Sequence, residues 1–132
     1  MNLSPAPIRE SFNTRGLMSG AWIAWFSQVY KNLRAVSPTV SADMGDASIT
    51  IKAGEAALTQ RFNTTLTAGR NITLSSVNAF TGAKFRVVRQ AGATGAFNLD
   101  VGPGLKTLTA AGQWCDVEYS GSAWILSAYG SL

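Results

Sequence analysis

Asp116 and Glu118 lie two apart in Gln113-Trp114-Cys115-Asp116-Val117-Glu118-Tyr119, so on a strand both project to one side. Two carboxyl groups flanking a bond are the equipment of glycoside hydrolysis. The same spacing also describes an acidic outer face opposite Cys115 and Val117, and no cluster of polar residues surrounds the pair. Cys115 is the single cysteine of the chain, and there is no His to act as its base. Its phase with Val117 and Tyr119 predicts a buried thiol that behaves as a small apolar residue. Without His, a CxxC pair or an Asp-rich loop, no metal site is expected, and Asp43 and Asp46 around Met44-Gly45 fit a turn. Gly92-Ala93-Thr94-Gly95 and Gly102-Pro103-Gly104 lack the strand, the Lys-Ser/Thr ending and the helix that make a phosphate cradle. They read as turns. Trp114 and Trp124 can stack on a sugar or anchor a small β core. Together these residues predict a chain without catalysis and without a cofactor.

The charges point the same way. The net charge is +4, but the 11 Lys and Arg residues are scattered. Only Lys84-Phe85-Arg86-Val87-Val88-Arg89 concentrates them, and alternation there gives a charged outer face on a half-buried strand. No nucleic-acid partner is expected. No segment has the run of apolar residues that a membrane span needs, and the first residues show no signal-peptide pattern. Charged residues make up only 14% of the 132 residues, low for a freely exposed surface, which suits either a neutral Thr/Gly-rich exterior or a subunit covered by other chains.

These side chains need elements to position them. Residues 1–17 carry Pro5 and Pro7 and are expected to form an extended arm, with Ile8, Phe12 and Leu17 as its anchors. A docking helix is expected over 18–35, with Ser19 as N-cap and with Lys31 and Arg34 at the negative end of its dipole. Trp22, Phe26, Val29 and Leu33 recur at seam spacing, and Trp25 and Tyr30 widen the stripe. A helix this short is marginal alone, so the stripe must bury itself. Residues 36–46 read as a linker. From 47 to 132 strand patterns and turn signals alternate, predicting a β-sandwich module of about eight strands. Short connections predict antiparallel pairing. Expected core residues are Phe85, Val87, Phe97, Leu99, Trp114, Val117 and Trp124. The fold class is therefore mainly β: an antiparallel sandwich or jelly-roll-like module preceded by an arm and one helix.

Two stretches resemble small structural proteins of tailed bacteriophages. Gly16-Leu17-Met18-Ser19-Gly20-Ala21-Trp22-Ile23-Ala24-Trp25-Phe26-Ser27-Gln28-Val29-Tyr30 is similar to the front of such proteins, where a Pro-containing arm precedes an aromatic helix. Phe85 to Arg89, Leu105 to Leu108, Trp114, Val117 to Tyr119, Gly121, Trp124 to Leu126 and Tyr129 to Leu132 resemble the β modules of phage fibres and capsid-decoration proteins. The resemblance implies a homotrimeric virion component, made in the cytoplasm of a bacterial host, with other tail, neck or capsid proteins as partners and no catalysis. The expected role is a tail or neck appendage docked by Ile8, Phe12, Leu17, Trp22, Trp25, Phe26, Val29, Tyr30 and Leu33. A capsid decoration protein is the alternative, and a carbohydrate-binding β module a further one.

Overall fold

The computed structural model describes residues 20–35 and 39–132. Ile8, Phe12 and Leu17 lie outside the described residues, as do the side chains of Tyr30 and Leu33. The chain divides into two compact units, residues 1–37 and 38–132. In the first, α1 spans Gly20–Ala35. Its composition of Ala, Leu, Gln, Lys and Arg among aromatics suits a helix, and Pro38 stands just beyond it.

The second unit holds nine strands: β1 (Val40–Asp43), β2 (Ile49–Ile51), β3 (Thr59–Phe62), β4 (Arg70–Leu74), β5 (Lys84–Arg89), β6 (Leu99–Val101), β7 (Lys106–Leu108), β8 (Gln113–Tyr119) and β9 (Trp124–Ser131). They make two sheets, ordered β1-β3-β5-β8-β9 and β2-β4-β6-β7. The mainly-β, two-sheet architecture matches the sequence reading. Its pairing does not: β1, β3 and β5 are mutually parallel, as are β2, β4 and β6. Only β5–β8, β6–β7 and β8–β9 are antiparallel. Short connections mislead here because sequence neighbours are not sheet neighbours. Through β6 each strand crosses to the opposite sheet, and the next crossing returns one position along. The chain winds as a flat coil, and two hairpins close its far end. β1 falls inside the segment 36–46 expected as a linker, where Met44 N–H also donates to the Arg61 carbonyl at 2.8 Å.

Corners of successive turns are tied by side chains. The Asp43 carboxylate accepts the Asn63 amide at 2.8 Å, and the Asn63 side-chain oxygen accepts the Gly92 amide at 3.0 Å. A Cβ on Gly92 would stand 2.4 Å from the Asn63 carbonyl, so this corner closes only around glycine. Asp46 grips the next corner through Arg70, at 2.7 and 3.0 Å, and through Thr67. Leu66-Thr67-Ala68-Gly69 and Leu108-Thr109-Ala110-Ala111-Gly112 are alike in sequence, and each forms a crossing between the sheets led by a buried leucine.

The core lies between the sheets. Phe62, Ile72, Val87, Leu99, Val101, Leu108, Cys115 and Val117 have no exposed surface. Phe85 is buried with them as expected, whereas Phe97 is 46% exposed and Trp114 lies half-buried on the outer face. Trp124 is half-buried on the inner side, its ring 5.4 Å from Phe85 and 5.3 Å from Tyr119, and its indole N–H donates to the Ser75 carbonyl.

Candidate docking and interaction surfaces

On α1, residues three and four apart share a face, which brings Trp22, Trp25 and Phe26 together. Trp22 meets Trp25 edge-on at 5.9 Å and Phe26 at 5.8 Å, and Trp25 meets Phe26 edge-on at 5.1 Å. Such ring pairs contribute about 0.5–1.5 kcal/mol each beyond their buried area. Trp22, Trp25 and Val29 are half-buried, while Phe26 and Ile23 are 44% and 51% exposed. The helix therefore carries a preorganised aromatic wedge with large apolar surface facing water. No acidic residue lies in its first turn, and Lys31 and Arg34 follow the wedge. Of the expected docking residues, Trp22, Trp25, Phe26, Val29, Tyr30 and Leu33 lie on this helix; the side chains of Tyr30 and Leu33 fall outside what is described, as do Ile8, Phe12 and Leu17 altogether.

The outer face of the five-stranded sheet holds the carboxylates that suggested hydrolysis. Register decides their state. Asp116 stands opposite Arg86, and Glu118 opposite Lys84. The Arg86 guanidinium donates to both Asp116 oxygens, at 2.6 and 2.7 Å, and this hydrogen bonding raises the arginine pKa. Lys84 pairs with Glu118 at 3.4 Å. Both acids are thus cross-strand ion-pair partners. Beside them a shallow cleft of about 460 Å³ is lined by Leu58, Phe80, Gly82, Lys84, Arg86 and Asp116, among others. Leu58 and Phe80 are 54% and 61% exposed at its rim.

The indoles of the β unit are committed to packing. Trp114 lies against Gly130, where a Cβ would come within 3.0 Å of the ring, and the Arg86 guanidinium sits 4.6 Å from the ring centre. Trp124 is held among Phe85, Tyr119 and the Ser75 carbonyl, as above. The aromatic ring with the greatest exposure here is Tyr129, at 62%, with the Lys106 ammonium 3.8 Å from its centre. Cys115 is fully buried, and desolvation, reinforced by the nearby Asp116 charge, pushes its thiol up to about 12. Among the described residues no group of three or more His, Cys, Asp or Glu is placed to hold a metal, and no helix is long and apolar enough to cross a membrane.

Sequence reasoning missed Arg89. It has no exposed surface, yet no carboxylate is within ion-pair distance among the described residues. Its guanidinium donates instead to the carbonyls of Ala93, Gly95, Phe97 and Leu108 at 2.8 to 3.0 Å, with Thr94 at 3.5 Å. Its phase with Phe85 and Val87 was the available signal: an arginine on the apolar side of a strand must find acceptors there. Comparison with protein-family models, with curated proteins and with solved structures finds no match to this chain.

Proposed function

We propose that this chain is a non-enzymatic structural component of a tailed-phage virion, a small trimeric tail or neck appendage docked through its N-terminal arm and helix. One observation carries the reading. The aromatic wedge of Trp22, Trp25 and Phe26 sits on a helix in a unit of its own, with Phe26 and Ile23 turned to water. Apolar side chains of this size lose about 1.5–3 kcal/mol each by staying exposed, so a protein surface is the natural cover. The β unit supports a passive role, because its acidic pair and its two tryptophans are spent on internal contacts. In this reading the wedge seats in the particle and the coil projects from it.

The test is particle composition. Purified particles of a phage carrying this gene are expected to contain the chain in low copy, counted by quantitative mass spectrometry. The Trp22→Ser/Phe26→Ser variant is expected to fold its β unit and to be lost from the particles. Particles that lack the wild-type chain, or that take up the variant normally, would overturn the reading. A copy number matching the capsid lattice would instead place the chain on the head.

A further inference from the structure

The five-stranded sheet ends in two unlike strands, β1 at one margin and β9 at the other, each with a single strand neighbour among the described residues. Proteins usually guard such margins with charge, proline or brevity, because the unpaired backbone groups recruit other strands. The second sheet follows that rule: its margins, β2 and β7, are three residues each, and β7 carries Lys106. In the first sheet β1 follows it too, with four residues and Asp43, but β9 does not. β9 is eight residues long, from Trp124 to Ser131, with no charged residue and no proline. Large apolar side chains stand exposed along both margins: Ile125 at 47%, Tyr129 at 62% and Leu132 at 83% on or beside β9, and Val40 at 48% on β1.

We infer that these two margins are one interface, in which β9 of one copy pairs with β1 of the next copy, head to tail. Three observations favour this occupant. First, direction: β1, β3 and β5 run together, and the two antiparallel steps through β8 return β9 to the same direction. A rotation about an axis along the strands preserves direction, so the junction is a parallel pair like β1–β3. Second, length: the bulge at Ser127, which has no register partner on β8 although its hydroxyl donates to the Asp116 carbonyl at 3.2 Å, divides β9, and Ala128–Ser131 then matches the four residues of β1. Third, charge: the uncharged β9 meets a strand whose one acid, Asp43, is already held by Asn63 and Thr64. Head-to-tail pairing of this kind closes into a ring when the rotation permits, and closure leaves no margin open. The inference deepens the proposed function by naming the surfaces through which copies associate.

The full-length chain tests it, with outer-face positions whose substitution should not disturb folding. Native mass spectrometry of the wild type at tens of micromolar is expected to give a small multiple of the 13.9 kDa chain mass. The Val40→Cys/Ala128→Cys variant, whose two thiols lie on the outer face of the sheet because Val40 pairs with Thr59 and Ala128 with Asp116, is treated with a short bismaleimide and is expected to link copies up to that same mass. Each single variant is expected to stay unlinked, because Cys115 is buried and the engineered thiols of neighbouring copies lie far apart. A wild type at single-chain mass overturns the inference. So does linking by Ala128→Cys alone, which would report β9 against β9, and so does an oligomer in which the double variant fails to link. The last two results leave the virion reading standing. A linked ring from a chain missing in particles would retire the virion reading and keep this one.

Discussion

Arg89 does at the scale of one residue what a bound cation does elsewhere: it gathers carbonyls that no strand ladder can satisfy. The loop from Ala93 to Phe97 and the end of β7 turn their oxygens inward, and one planar guanidinium answers them from β5. Burial lowers the pKa of this arginine by desolvation, though a guanidinium stays charged at any ordinary pH. Lysine cannot substitute, since its three donors radiate from one point and cannot reach oxygens spread around a fork. Arg89→Met should strand the acceptors in an apolar core and cost on the order of 3–5 kcal/mol, the range for breaking a buried charged hydrogen-bond set. Arg89→Lys should recover only part of that. Urea midpoints compared at unchanged slope would measure both, and a variant within about 0.5 kcal/mol of wild type would show the network to be dispensable.

At the scale of elements, most strands were legible; β1, inside the supposed linker, was not, and neither were the strands' partners. Period-two alternation exposes β5 cleanly, with Phe85 and Val87 in and Lys84 and Arg86 out, and Asp116-Val117-Glu118 repeats it on β8. Pairing depends on what happens at corners, and corner chemistry is nonlocal: Asp43 reaches Asn63 and Asp46 reaches Arg70. Nothing within either aspartate's own segment distinguishes a cross-turn tie from a local turn, so a coil and an antiparallel sandwich read alike. Phe97 was placed in the core by its alternation with Leu99, but its loop bends to feed Arg89 and leaves the ring half in water. On the candidate site, the wedge was legible from helical spacing alone, whereas the two open margins require knowing the strand order. The corner ties also make a prediction about acid. Hydrogen bonds from Arg70, then from Thr67, hold the Asp46 carboxyl below the usual carboxylate range, and the Asn63 amide leads the causes that lower Asp43. A carboxylate with a depressed folded pKa adds stability that is complete above its unfolded value and fades as pH falls through the folded one. Stability should therefore hold to about pH 4 and decline below it. Asp46→Asn should be less stable than wild type at pH 7 and should lose less on going to pH 3, as urea titrations at the two pH values would record.

At the scale of the whole molecule, the two units are built from different materials. The core cluster of the β unit draws its residues from Ile51 to Tyr119, and among the described residues the partly buried apolar side chains packed against it run from Met44 to Leu126. The aromatic wedge of α1 is assembled from its own neighbours at helical spacing. If the helix exists to dock, the β unit must hold its fold without the helix's contribution, because an element committed to a partner cannot also be a cornerstone of its own core. Residues 38–132 produced alone should then unfold in one transition, with an unfolding free energy from urea titration matching that of the full chain at equal concentration to within about 0.5 kcal/mol. Trp124, packed on Phe85 and Tyr119, is the natural fluorescence reporter, since it senses the inner side of the sheet that the transition destroys. A shorter chain that loses several kcal/mol would make α1 part of the β unit's own structure, and the wedge would then be core material. A shorter chain that keeps its midpoint but no longer enters particles would separate folding from docking in one pair of measurements. That separation is what a building block with a dedicated attachment helix requires.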